Sequence, residues 1–201
     1  MTLPEPSSYF PQALNAHRAL FADLHTVQAD VERIGKCLAE VLRVGSKVML
    51  CGNGGSAADS QHIAAELTGR FVYERRALAA LALSTDTSAL TCIGNDYGFD
   101  AIFERQVQAL GRKGDSLILI STSGNSANLL RAATAARSMG ISTVGLLGRD
   151  GGSLRALCDY AVVVPSHVTA RIQEAHIFIG HCWCGLVEQS LGVGQPADGT
   201  T

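Results

Sequence analysis

No run of about 18 or more apolar residues occurs in the 201-residue sequence, so nothing in it reads as a bilayer-spanning helix. Its start, MTLPEPSSYF, lacks a basic segment followed by an apolar one, which argues against a secretory leader. The expected location is therefore the cytoplasm. Lys and Arg form no cluster, and the formal net charge is only −2. Nucleic acid would find no general attraction here, and an anionic ligand would have to be held locally. Metal-ligand spacing is absent among the six cysteines, Cys37, Cys51, Cys92, Cys158, Cys182 and Cys184. On a helix Cys182 and Cys184 point about 200° apart, so buried reduced thiols are the expectation.

Charged residues make up 17% of the chain and hydrophobic residues 47%. That balance excludes disorder and fits one α/β domain with a full core, the length being short for two. A mean hydropathy of +0.18 is high for a soluble monomer, which points to surface shared between subunits.

Two helical patterns open the sequence: Phe10, Leu14, Phe21 and Leu24, then Val31, Ile34, Leu38, Val41 and Leu42 at near-3.6 spacing, closed by Gly45. Short apolar runs follow at Val48–Cys51, Leu78–Leu83, Leu117–Ile120, Thr143–Leu147 and Tyr160–Val164. Helices are expected near 56–68, 86–94, 99–110, 126–138, 152–157 and 169–191. This alternation predicts an open five-stranded parallel sheet with helices on both faces, an N-terminal helical pair and a long C-terminal helix. One domain spans 1–201: helices over 1–45, the α/β core and closing helix over 46–191, and a Gly/Pro-rich tail over 192–201 expected to be flexible.

Open parallel sheets bind ligands at the carboxyl ends of their strands. The first strand runs into Gly52-Asn53-Gly54-Gly55-Ser56, where glycines admit close backbone approach and a helix start offers free N–H groups. Ser56 with Asp59 resembles a capping box, and a tight turn with a capped helix accounts for this segment equally well. Gly52-x-Gly54-x-x-Ala57 formally fits a dinucleotide fingerprint, but no strand-end acid lies about 20 residues on; Glu74 falls in a polar loop with Arg75 and Arg76.

The third strand ends in Ser121-Thr122-Ser123-Gly124-Asn125-Ser126. A helix needs one cap, not four hydroxyls and an amide, so phosphate binding is the stronger reading. On the helix after the glycine loop, Asp59, His62 and Glu66 share one face beside Ile63, Ala64 and Leu67. Such a pair is commonly a solvated face; the neighbouring loop raises the interest. Gln173, Glu174, His176 and His181 lie on the apolar closing helix, where a single histidine is ordinarily a satisfied core residue. Gln173 and His181 are eight residues, about 12 Å, apart, so they meet at one point only through long reach or across a subunit interface.

The stretches CGNGGSAADSQHIAAELTGRF, TDTSALTCIGNDYGFDAIF, STSGNSANL and RIQEAHIFIGHCWCGLVEQSL resemble the SIS (sugar isomerase) domain family, most closely its phosphoheptose isomerases. The resemblance covers nearly all of the chain after the first helix. It implies conversion of sedoheptulose 7-phosphate to D-glycero-D-manno-heptose 7-phosphate for bacterial envelope or surface sugars. It implies a sugar site at Asn53, Gly54, Gly55, Asn95, Asp96 and Gln173, and a phosphate site at Ser121, Thr122, Ser123 and Ser126. It further implies Zn²⁺ on His62, Glu66, Gln173 and His181, with Glu66 and His181 the acid/base pair and Glu66 also facing the sugar. Family members form homotetramers with sites between subunits, and no nucleic-acid or membrane partner is implied. A non-catalytic branch binds the bacterial replication initiator and lacks parts of that residue set. All four metal-site residues are present here, which favours the enzyme.

Overall fold

Fully buried apolar runs become the centre of the molecule. The computed structural model describes residues 6–193, so the expected flexible tail lies outside the described residues from residue 194 on. Helices α1 (Pro6–Asp23) and α2 (Gln28–Arg43) precede strand β1 (Val48–Gly52) and helix α3 (Gly55–Thr68). Then come β2 (Ala80–Ala82), α4 (Thr87–Tyr97), α5 (Ile102–Leu110) and β3 (Ser116–Ser121). The chain continues through α6 (Ala127–Ser138), β4 (Ser142–Gly148), β5 (Tyr160–Val164) and α7 (Thr169–Ser190).

All strand pairings are parallel, in the order β2-β1-β3-β4-β5. Because side chains alternate along a strand, each strand feeds two cores. Val48, Leu50, Ile118 and Ile120 face the cluster built with α2, α3 and α7, whereas Met49, Cys51, Leu117 and Leu119 face the one built with α5 and α6. Unpaired polar side chains would be costly on either face, which is why the middles of these strands read as continuous apolar runs.

Three elements differ most from expectation. The strand expected over Leu78–Leu83 keeps only Ala80–Ala82, because it is an edge strand and the Leu78 N–H turns away to the Leu67 carbonyl. The helix expected over 99–110 starts as a 3₁₀ turn at Phe99–Ala101, and the one over 152–157 is 3₁₀ throughout, at Ser153–Leu157. All six cysteines are free, but only Cys51 and Cys184 are buried and Cys92 is exposed, which corrects the expectation of buried thiols.

The closing helix is anchored by Trp183, fully buried, whose indole N–H donates to the Val31 carbonyl of α2 at 3.2 Å. Two turns earlier His176 is also fully buried. Its Nε2 lies 3.1 Å from the Leu147 carbonyl oxygen, and its Nδ1 has no hydrogen-bond partner among the described residues. Burial pushes its pKa down from 6.5 to about 4. A group with a depressed basic pKa binds fewer protons folded than unfolded, so its contribution is complete above the unfolded value and is lost as pH falls toward 4. The slope reaches about 1.4 kcal/mol per pH unit. His176→Asn, which keeps a donor but does not titrate, is expected to melt lower than wild type near neutral pH. Its fall in melting temperature between about pH 7 and about pH 4 should be smaller than that of wild type; an equal fall would mean His176 is not a source of acid sensitivity.

Candidate active site

From β1 the chain crosses to β2 on one side, and β3 joins β1 on the other, so a crevice opens between the carboxyl ends of β1 and β3. Both polar motifs fall there. Gly54, at φ 57° and ψ −121°, turns the backbone out of β1 straight into α3, a conformation few other residues adopt. The helix thus begins at Gly55, one residue before the expected start, and the anticipated Ser56–Asp59 capping box does not form. Ser56 lies inside the first turn, its N–H on the Asn53 carbonyl and its own carbonyl accepting the Ser60 hydroxyl at 2.8 Å. No side chain caps α3.

After β3, Ser121 Oγ accepts the Gly124 N–H at 3.0 Å and Ser123 Oγ the Asn125 N–H at 3.3 Å. Those two hydroxyls shape the loop. Those of Thr122 and Ser126 carry no hydrogen bond among the described residues, and Ser126 stands at the α6 N-cap without capping it. Free hydroxyls and uncapped first-turn N–H groups at a strand end are what a phosphate requires. Sequence reasoning passed over Asn128, which is 2% exposed. Its amide exchanges two hydrogen bonds with that of Asn53, at 2.9 and 3.0 Å, and so ties the glycine loop to the hydroxyl loop. Its signal in the sequence is an amide in the first turn of a helix that follows a polar loop.

A second constellation lies where α3 and α7 pack. Gly180 permits their approach: a Cβ there would stand 2.5 Å from Ile63 Cδ1. His62 Nε2 is 3.2 Å from Glu66 Oε1 and 3.1 Å from His181 Nε2. One ligand atom from each of the three lies within 4.8 Å of the others. The His62 side chain is 47% exposed and that of Glu66 25%. Asp59, one turn back on α3, has a buried Oδ2 without a partner among the described residues, and burial pushes its pKa up to about 6.

The remaining expected residues stand elsewhere. Gln173 lies with its amide against Gly55, where a Cβ would collide with it, at the opposite end of the α3–α7 seam from His181. Asn95 and Asp96 are exposed at the end of α4, and Asn95 Nδ2 donates to Asp96 Oδ1 at 2.8 Å. Glu66 follows Gly55 by eleven residues, about 16 Å of helix rise, so the short loop does not bring it to the crevice as expected. Within one chain the crevice and the His–Glu–His cluster are two places.

A family model described as SIS domain matches residues 12–148, and the chain belongs to that family. It is 64% identical over 152 residues to the phosphoheptose isomerase of a Nitratiruptor species, covering 76% of this chain and 81% of that protein. To the phosphoheptose isomerase of Aliarcobacter butzleri it is 55% identical over 177 residues, covering 88% and 94%. Among solved structures, phosphoheptose isomerase GmhA from Neisseria gonorrhoeae superposes with a TM-score of 0.87 at 42% identity, over 92% of this chain and 100% of that one.

The free Ser126 hydroxyl gives the crevice a direct test. A hydrogen bond to a charged group contributes about 1.5–3 kcal/mol, so Ser126→Ala should weaken sugar-phosphate binding about 10- to 100-fold without lowering the melting temperature. Calorimetric titration with a sugar phosphate measures this. Equal affinity in the Ala variant would mean that Ser126 does not contact the phosphate.

Proposed function

We propose that the chain is a phosphoheptose isomerase, converting sedoheptulose 7-phosphate to D-glycero-D-manno-heptose 7-phosphate in the making of heptose for bacterial envelope or surface sugars. The observation that carries this reading is the convergence of His62, Glu66 and His181 on one seam of a SIS-domain fold whose relatives are phosphoheptose isomerases. A non-catalytic sugar-phosphate-binding protein would need the crevice alone and has no use for that cluster.

The hydroxyls of Thr122 and Ser126, with the first-turn N–H groups of α6, hold the phosphate; Ser121 and Ser123 keep their loop in shape. Asn53, Gly54 and Gly55, with Gln173 beside them and Asn95 and Asp96 from α4, bind the sugar hydroxyls. Glu66 takes the proton from C1 of the open-chain ketose and returns it at C2. His181 moves the proton between the oxygens on C1 and C2, so that the carbonyl passes from C2 to C1 with no net gain or loss of atoms. Two imidazoles and a carboxylate at mutual ligand distance fit Zn²⁺. His62, Glu66 and His181 would hold it, and Gln173 would join them only from a neighbouring chain. Bound there, it would polarise the substrate oxygens.

About 16 Å of α3 rise separates Gly55, at the crevice, from Glu66 of the same chain. A homotetramer with sites between subunits resolves this by bringing the crevice of one chain to the cluster of another. The half-exposed His62 and the exposed Tyr9, Phe10 and Phe178 are in keeping with such an assembly. No described helix is long and apolar enough to cross a membrane, and the cytoplasm is the compartment we assign.

Glu66→Gln should lower kcat by about 10² or more while KM changes little, with loss of solvent deuterium uptake at the reacting carbon. A Gln variant of wild-type rate would pass the role of base to His181. Elemental analysis of untagged protein should find zinc near one per chain in wild type and much less in His62→Ala; fully active, zinc-free protein would remove the metal from the reaction.

A further inference from the structure

Beyond α3 the chain carries Glu74-Arg75-Arg76, a triplet that reads as a solvated loop. Arg75 is nevertheless buried, its side chain 2% exposed, against Glu188 of α7 at 1%. The Glu188 carboxylate accepts the backbone N–H groups of Phe71, Val72 and Tyr73 at 3.1, 3.1 and 3.2 Å, and Arg75 Nε at 3.0 Å. Arg75 donates its other N–H groups to the carbonyls of Leu67, Gly69, Arg76 and Glu66. A buried charge pair of this kind is tolerated because both carboxylate oxygens and all three guanidinium nitrogens have partners.

This network touches the reactive cluster twice. Through Nη2, 2.7 Å from the Glu66 carbonyl oxygen, it fixes the last turn of α3 at the residue that bears the carboxylate. Through the Phe71 N–H it sets the loop so that the Phe71 ring lies on His181, centroids 5.4 Å apart and planes 26° apart. The His62 ring meets His181 edge-on at 4.9 Å. The His181 ring lies between those two neighbours with its Nε2 3.1 Å from His62 Nε2.

We propose that Phe71, held by the buried Arg75–Glu188 pair, is a positioning residue that fixes the plane of the His181 ring for the isomerisation. Resting on the isomerase reading above, this adds a link from the loop after α3 to the acid/base pair. Stability alone would not require an aromatic ring at position 71, since Leu fills a half-buried apolar site nearly as well.

The test uses metal-free and as-purified full-length protein with labelled histidine side chains. Phe71→Leu should fold and melt near wild type, turn over sedoheptulose 7-phosphate about 10-fold or more slowly, and keep KM within about twofold. In the metal-free protein the nuclear Overhauser contact between the His62 and His181 rings should weaken and the His181 ring resonances broaden. Phe71→Tyr should restore both rate and ring contact. Wild-type kcat in the Leu variant, or a lost rate with the ring contact intact, would overturn the proposal. If wild-type protein itself forms no aldose phosphate, the isomerase reading falls, and the ring contact still decides whether Phe71 sets His181. Glu188→Gln supplies a second route: if it folds, the same broadening should appear with Phe71 in place, and sharp His181 resonances would sever the buried pair from the site.

Discussion

α3 and α7 lie side by side because position 180 carries no side chain to hold Ile63 away. The two helices run in the same direction along this seam: Gly55 meets Gln173 and Ile63 meets Gly180, and just past the end of α3 Phe71 meets His181 and Gly185. The glycine loop, Gln173 and the His–Glu–His cluster are distributed along that line, while the hydroxyl loop faces it across the crevice. At its start the glycine loop and Gln173 border the sheet crevice; farther on, His62, Glu66 and His181 close on one another. Even a methyl group at position 180 would have to be absorbed by rotating Ile63 or by parting the helices, and parted helices separate the imidazoles.

Electrostatics follow the same local logic. With a net charge of −2 the molecule offers a phosphate no long-range pull. In the proposed site the hold comes from neutral dipoles close at hand, and the Asn53–Asn128 amide exchange ties together the two loops assigned to it. Asp59 illustrates the cost of enclosure. Its carboxyl group is half-buried, one oxygen has no partner among the described residues, and burial raises its pKa to about 6.

What could be read from the sequence was what depends on neighbours along the chain. The central strands β1 and β3 are buried on both faces, so apolar runs mark them without ambiguity, and helices of one apolar stripe such as α2 announce their period. The edge strand β2 was overextended because its ends are decided by hydrogen bonds to Leu67 and Leu50, which composition does not encode. The spurious capping box arose from the same source: Gly54 starts the helix a residue early by a backbone angle. Arg75 and Glu188 were invisible because 113 positions separate them, and a charged triplet looks like solvated loop until its partner is known. The site residues were nameable, yet their division into a crevice and a distant cluster follows only once α3 is laid out at about 1.5 Å per residue.

Helix α7 follows, in sequence, every element it packs on, and it supplies Trp183, Ile172, Ile179 and Val187 to the core shared with α2 and α3. During synthesis at about 5–20 residues per second, the sheet and the first helices emerge while that face is still uncovered. The nascent chain therefore passes through a stage with a bare apolar surface on α2 and α3, and long-range parallel pairing makes the stage slow to resolve. Emergence of α7 from the ribosome ends it, covering the exposed face and bringing His181 to His62 and Glu66 in the same event.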